Sequence, residues 1–263
     1  MKSFINHHRF SIIYFGLIIG SYSLLLLFYL YTAQLGIIPK PGFDLASYNF
    51  KFYPFCIIWG SILALIGFEH YSLKNLRLTY AHYNSMIVLG TIIIIICARA
   101  WHIFTQLSFY RTNPREIFNL SLGGLSLWGA LLGLVITLGI FYRFQLKAVI
   151  LTLSYVSIFL PLVQSFGRWG NYFNNELFGV NHQPLFLYES CFDLALFIIL
   201  FILQQKIKIK KQLLLGIYLI SYGFIRLIIQ PLRADINSIV ITTLVAAVFC
   251  IVAGITIMLY YLT

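Results

Sequence analysis

Long apolar runs, each near the length of a membrane crossing and parted by short polar breaks, constrain this chain more than any other feature. A helix needs about 20 mainly apolar residues to cross the hydrocarbon core of a bilayer. No water is present there, so every backbone N–H and C=O must be satisfied internally. Only helices and closed barrels meet that condition. Barrel strands would read as alternating segments of ~10 residues, and the runs here are continuous. They predict an all-α polytopic membrane protein with about eight transmembrane helices. The spans are placed at 10–33, 52–71, 83–104, 122–142, 148–166, 185–204, 213–230 and 239–262. Their connections are short, so residues 1–263 are expected to form a single integral membrane domain. The composition agrees, at 60% hydrophobic and 10% charged, where soluble domains average ~25% charged.

Lys2 and Arg9 precede the first run, as in a secretion signal. The run itself is too long for such a signal's apolar region, and no small-residue cleavage site follows. Residues 10–33 therefore read as an uncleaved first span. The formal net charge of +11 is explained by topology, because Lys and Arg concentrate in cytoplasmic loops. With the N-terminus inside, the inner loops hold most of these residues, above all the cluster 206–211. No basic face recurs, so nucleic acid is not an expected partner. Cys56, Cys97, Cys191 and Cys250 are scattered through apolar runs, with no Cys-x-x-Cys pair. No His-x-x-x-His pair occurs either. Neither a metal site nor a cofactor is implied.

One stretch departs from this apolar background. Residues 167–189 bring together Arg168, Asn171, Asn174, Asn175, Glu176, His182 and Glu189, in a loop expected on the outer side. Arg226 lies inside the seventh span, and Arg99 near the end of the third. An arginine at the bilayer centre costs about 2.5–3.5 kcal/mol even on the milder scale, so it faces a partner or a cavity. Two readings follow. Arg226 with Glu189, or Arg168 with Glu176, could form ion pairs that only lock helices. Alternatively the arginines form a lipid phosphate site, because guanidinium forks match phosphate oxygens. Asn171 and Asn175 share a face if the stretch is helical, though a loop fits equally. Glu189 and Asp193 are also four apart. One of them could pair with Arg226, or either could favour a helix N-terminus. His102, beside Trp101 on an apolar helix, reads as a packed histidine.

These residues carry a resemblance. The run from Gly167 to Gly179, Gly-Arg-Trp-Gly-Asn-Tyr-Phe-Asn-Asn-Glu-Leu-Phe-Gly, closely resembles the signature of the bacterial prolipoprotein diacylglyceryl transferase family. Pro184-x-x-Leu187-Tyr188-Glu189 resembles its second motif. Gly123-Gly124-Leu125-Ser126 resembles its Gly-Gly-Met-Ser segment. Tyr222-Gly223-x-x-Arg226 and Arg233 resemble its late arginine-containing helix, and Tyr53 matches a tyrosine of its first span. The likeness covers residues 52–263, which makes the first span extra to the usual seven.

The resemblance implies an inner-membrane enzyme that moves the diacylglyceryl group of phosphatidylglycerol onto the lipobox cysteine of a prolipoprotein, forming a thioether. It implies catalytic roles for Arg168, Arg226, Glu176 and Glu189. It implies substrate contacts from Arg168, Asn171, Asn174, Gly179, Tyr53, Tyr188, Arg99 and Arg233. Three positions depart from the family pattern. Trp128 and Gln183 stand where it has histidines, and Gln230 where it has a glutamate. None of the three can accept a proton at neutral pH. The alternative is thus a paralogue that binds anionic lipid or signal peptide without turnover.

Overall fold

Nearly every apolar run is a helix in the computed structural model, which describes residues 2–45, 48–76, 78–119, 124–206, 209–234 and 239–263. The helices are α1 (Lys2–Leu35), α2 (Phe52–Tyr71), α3 (Tyr80–Thr105), α4 (Leu107–Thr112), α5 (Leu127–Phe141), α6 (Leu146–Phe173), α7 (Leu185–Lys206), α8 (Gln212–Ile229) and α9 (Ile239–Leu262). Among the described residues seven are long and apolar enough to cross a membrane: all of these except α4 and α5. Between α1 and α2 lies a small antiparallel hairpin of β1 (Gly42–Leu45) and β2 (Tyr48–Lys51), with Gly42 opposite Lys51. Phe43 stacks on Phe50 there at 5.0 Å.

Two expected boundaries move. The fourth span, placed at 122–142, is the 15-residue α5. Gly124 adopts φ +81°, a left-handed conformation that glycine tolerates and that ends helical geometry. Gly123 of the four-residue segment above, like Arg77 and Lys208, lies outside the described residues. The fifth span, expected to stop at residue 166, continues unbroken through Pro161 to Phe173. Its extra turns are held by aromatic burial. Trp169, Tyr172 and Phe173 recur at helical spacing and are all buried. Tyr172 stacks on Phe186 at 4.8 Å, and Phe173 on Phe52 at 4.6 Å. Arg168 and Asn171 therefore sit on a helix and not in a loop.

The chain divides into two compact units, Met1–Ser72 with Leu153–Thr263, and Leu73–Thr152. In the first, α8 and α9 meet through glycine. A Cβ on Gly216 would stand 3.0 Å from the Gly254 carbonyl oxygen, and one on Gly223 2.6 Å from that of Ala247. At one end of this unit Gln204 Nε2 donates to the Tyr71 carbonyl and the Ser72 hydroxyl, at 3.3 and 3.0 Å. In the second unit α3 and α5 pack closely. Cβ atoms on Gly129 and Gly133 would fall 2.7 Å from the Cα atoms of Ala98 and Ile94.

Candidate functional site

Three helices of the first unit bring charge to one point. Arg168 comes from α6, Glu189 and Asp193 from α7, and Arg226 from α8. Arg168 Nη2 lies 2.8 Å from Glu189 Oε1, and Arg226 Nη1 lies 2.7 Å from the same oxygen. Asp193 Oδ2 is 3.9 Å from Arg168 Nε. Both carboxylates are fully buried, while the two arginines keep 18% and 12% of their side-chain surface exposed. Glu189 and Asp193 stand one helical turn apart, so both face the arginines. Two cations and two anions balance formally, which is the condition for burying charge at tolerable cost.

The hydrogen bonding is less complete than the charge balance. Glu189 Oε2, both Asp193 oxygens and the Nε atoms of Arg168 and Arg226 have no hydrogen-bond partner among the described residues. Buried polar groups in native proteins are normally paired. Guanidinium N–H groups not committed to protein are suited to an anion's oxygens. Tyr222, one turn before Arg226 on α8, is within electrostatic reach of all four charged groups.

The surrounding residues are positioned by local geometry. Tyr53, near the start of α2, packs on Gly170, where a Cβ would come within 2.7 Å of its ring. Any larger residue at 170 would push Tyr53 away from α6. Asn171 and Asn174 donate to the two oxygens of Glu176, at 3.0 and 3.3 Å. Glu176 is thus held by amides and not by Arg168, its expected partner in the helix-locking reading. The chain then turns sharply. Asn175, Leu177 and His182 all adopt positive φ, and Leu177 does so while buried. Such backbone stores about 1–3 kcal/mol per residue and persists only where its surroundings enforce it.

Enforcement comes from backbone bonds. Gly179 N donates to Gln183 O at 2.8 Å, and Phe186 N to Leu177 O at 3.0 Å. Ala234 N donates to Phe178 O at 2.9 Å, and Gly179 bridges Arg233 in antiparallel fashion. A Cβ at Gly179 would lie 2.1 Å from Gln183 Oε1, so a larger residue there would displace the amide that accepts from Asn181 N.

Two further expected contact residues are Tyr188 and Arg99. Tyr188 is 45% exposed on α7, beside the buried Glu189. Arg99 belongs to the second unit. Its guanidinium donates to the backbone carbonyls of Ile117, Gly124, Glu116 and Asn119, and lies over the Tyr110 ring at 5.3 Å. Together with His102, Gln106 and Glu116 it lines a cleft of about 270 Å³. His102 meets Tyr110 edge-on, with centroids 6.0 Å apart. Asp193, left open between two roles by the sequence, belongs to the arginine cluster. Ser165 and Ser190, whose hydroxyls each donate to the other's carbonyl and tie α6 to α7, carry no sequence signal, because serine occurs throughout membrane helices.

A family model described as prolipoprotein diacylglyceryl transferase matches residues 42–261. The chain belongs to this family. A phosphatidylglycerol--prolipoprotein diacylglyceryl transferase of Clostridium novyi (strain NT) is 28% identical over 217 residues, covering 74% of this chain and 84% of that protein. One from Streptococcus pneumoniae (strain Hungary19A-6) is 30% identical over 213 residues, covering 70% and 79%. With seven long apolar helices, the chain is a multi-pass membrane protein of a transferase family. The whole arginine–carboxylate cluster lies within the residues matched to prolipoprotein diacylglyceryl transferase, and α1 lies outside them. Of the positions expected to depart from the family pattern, Trp128 is 56% exposed on α5, while Gln230 is buried at the end of α8 with its Oε1 unbonded among the described residues.

Proposed function

We propose that the chain transfers the diacylglyceryl group of phosphatidylglycerol to the cysteine thiol of a prolipoprotein lipobox. The observation that carries the reading is the convergence of Arg168 and Arg226 on one oxygen of Glu189. A phosphate leaving group needs fixed positive charge where its own charge develops. Two guanidinium groups preorganised by a buried carboxylate supply it, with N–H groups to spare. The sulfur electron pair forms the bond to the terminal glyceryl carbon. The carbon–oxygen bond to phosphate breaks, and its electron pair stays on the phosphate oxygen. The thiol proton is lost, and glycerol phosphate leaves as it takes that proton up. The thiolate is the attacking form, so its generation beside two cations is favoured.

In this reading Asn171, Asn174 and Glu176 form a polar rim that orients the glycerol headgroup. Gly179 and Arg233 shape the loop beside it, and Tyr53 and Tyr188 contact lipid. Both substrates are amphiphiles, so the site works at a membrane interface. The Lys and Arg bias of the loops supports the outer leaflet of the cytoplasmic membrane.

The test is transfer of labelled diacylglycerol from phosphatidylglycerol vesicles to a lipobox peptide by the purified protein. Arg168→Lys and Arg226→Lys are each expected to lower the rate at least 100-fold, because an ammonium cannot replace a bidentate fork and one lost oxyanion contact costs about 10²–10³ in rate. Full activity in Arg168→Lys would falsify the assignment. The glutamines at 183 and 230 and the tryptophan at 128 favour a second reading, lipid binding without turnover. Phosphatidylglycerol retained by the parent chain with no glycerol phosphate released would support it. So would activity appearing only in the double variant Trp128→His with Gln230→Glu.

A further inference from the structure

The α6–α7 contact beneath the arginine cluster is fastened by three hydroxyls. Ser165 Oγ donates to the Ser190 carbonyl at 2.9 Å, and Ser190 Oγ donates to the Ser165 carbonyl at 2.8 Å. The two hydroxyl oxygens are 3.1 Å apart. Reciprocal bonds of this kind fix the two helices axially as well as laterally. Both serines are fully buried. Ser165 stands three residues before Arg168, and Ser190 directly follows Glu189. The register fixed by the serines is therefore the register in which Arg168 reaches Glu189. A slip of one residue would move a helix by about 1.5 Å, enough to break that contact.

The third hydroxyl comes from α1. Tyr22 Oη lies 2.5 Å from Ser190 Oγ and 3.5 Å from Ser165 Oγ. Its ring stands edge-on to Trp169, with centroids 5.7 Å apart. Tyr29 of α1 adds ring contacts to Trp169 and Phe186, while other hydrogen bonds fasten α1 to single neighbours. Tyr14 donates to the Leu63 carbonyl at 3.0 Å, and Trp59 Nε1 donates to Ser21 Oγ at 3.1 Å. Tyr22 instead reaches the junction of two helices. Yet α1 lies outside the family match at 42–261.

We propose that Tyr22 is a positioning residue: through it, α1 clamps the Ser165–Ser190 contact that holds Arg168 against Glu189. The first helix is thus part of the site's scaffold and more than a membrane anchor. The kinetic arm of its test rests on the transferase reading, and the spectroscopic arm does not. Tyr22→Phe removes one oxygen and keeps the ring packed on Trp169, so the variant is expected to fold. Its kcat should fall about tenfold, the kinetic equivalent of one hydrogen bond, with KM within about twofold.

In ¹⁵N-arginine solid-state NMR, the Arg168 side-chain signal, assigned by its loss in Arg168→Lys, should shift in Tyr22→Phe. Ser21→Ala cuts the Trp59 tie elsewhere on α1 and should leave both kcat and that signal unchanged. An Arg168 signal unmoved in Tyr22→Phe overturns the inference, whatever the rate does. So does Ser21→Ala shifting it by as much. A parent chain without transferase activity would sink the functional reading while the NMR comparison still decides the role of Tyr22.

Discussion

Two carboxylates one turn apart on α7 face the same arginines and are bound differently. Glu189 Oε1 takes a guanidinium from each side, whereas neither Asp193 oxygen accepts a hydrogen bond among the described residues. Removing one partner of a buried ion pair costs about 3–5 kcal/mol, because the other charge is stranded. Glu189→Gln strands two. It is expected to destabilise the fold by several kcal/mol, read as a much lower midpoint of thermal unfolding, and to abolish transfer. Asp193→Asn also upsets the charge balance, but it gives up only a 3.9 Å contact of a carboxylate without hydrogen bonds, so its cost should be clearly smaller than that of Glu189→Gln. Thermal unfolding of the two variants in one detergent checks this, and equal losses would refute it. That these charges needed partners was legible in the sequence, since intramembrane arginines demand them. The Arg226–Glu189 pair was among those it offered; that Arg168 would join the same carboxylate, and not Glu176, was not legible. The apolar run stops at residue 166, before Arg168, and the aromatic burial that carries the helix on to Phe173 depends on residues distant in the chain.

At the scale of helices, two Gly-x-x-x-Gly pairs look alike in sequence and are used differently. Gly129 and Gly133 of α5 press on α3, where an added Cβ would meet backbone atoms within 2.7 Å. Gly16 and Gly20 of α1 have no described atom within 4 Å of such a Cβ. Small residues let helix backbones approach closely, but the pattern alone does not say whether a neighbour is present. Gly129→Leu should therefore force α3 and α5 apart. It should lower stability by at least the 1–3 kcal/mol of a typical overpacked core. Gly20→Leu should fall within about 0.5 kcal/mol of the parent, as surface substitutions usually do. Thermal melts of both decide it, and matching losses would show that α1 is also packed on this face. The hairpin before α2 went unread for a related reason. Strands of four residues leave little trace in a profile averaged over a membrane span.

For the molecule as a whole, the membrane crossings must be consistent with one another. Arg168 near the end of α6 meets Glu189 near the start of α7, and Phe159 further back meets Phe197 further on, so these helices run antiparallel. The end of α7 then lies on the side where α6 begins. Gln204, near that end, bonds to Tyr71 and Ser72 at the end of α2. The chain thus leaves α2 and enters α6 on one side of the membrane, and residues 73–152 cross it an even number of times. α3 has 26 residues, long and apolar enough to cross once. α5 must return, although its 15 residues span only about 22 Å at 1.5 Å each. Hydropathy over a longer window passes α5 by, but the parity of the chain requires it. Local thinning of the bilayer and snorkelling of flanking Arg143 and Lys147 can absorb the shortfall. Those two cations also place the end of α5 on the inner side. In a chain freed of its four cysteines, Asn113→Cys should react with an impermeant maleimide in intact cells. Gln145→Cys should react only after permeabilisation. Both positions are exposed, so failure to label would not arise from burial. Labelling of both from the same side would mean that α5 does not cross. Either the antiparallel pairing of α6 with α7 or the bonding of Gln204 to the end of α2 could not then stand.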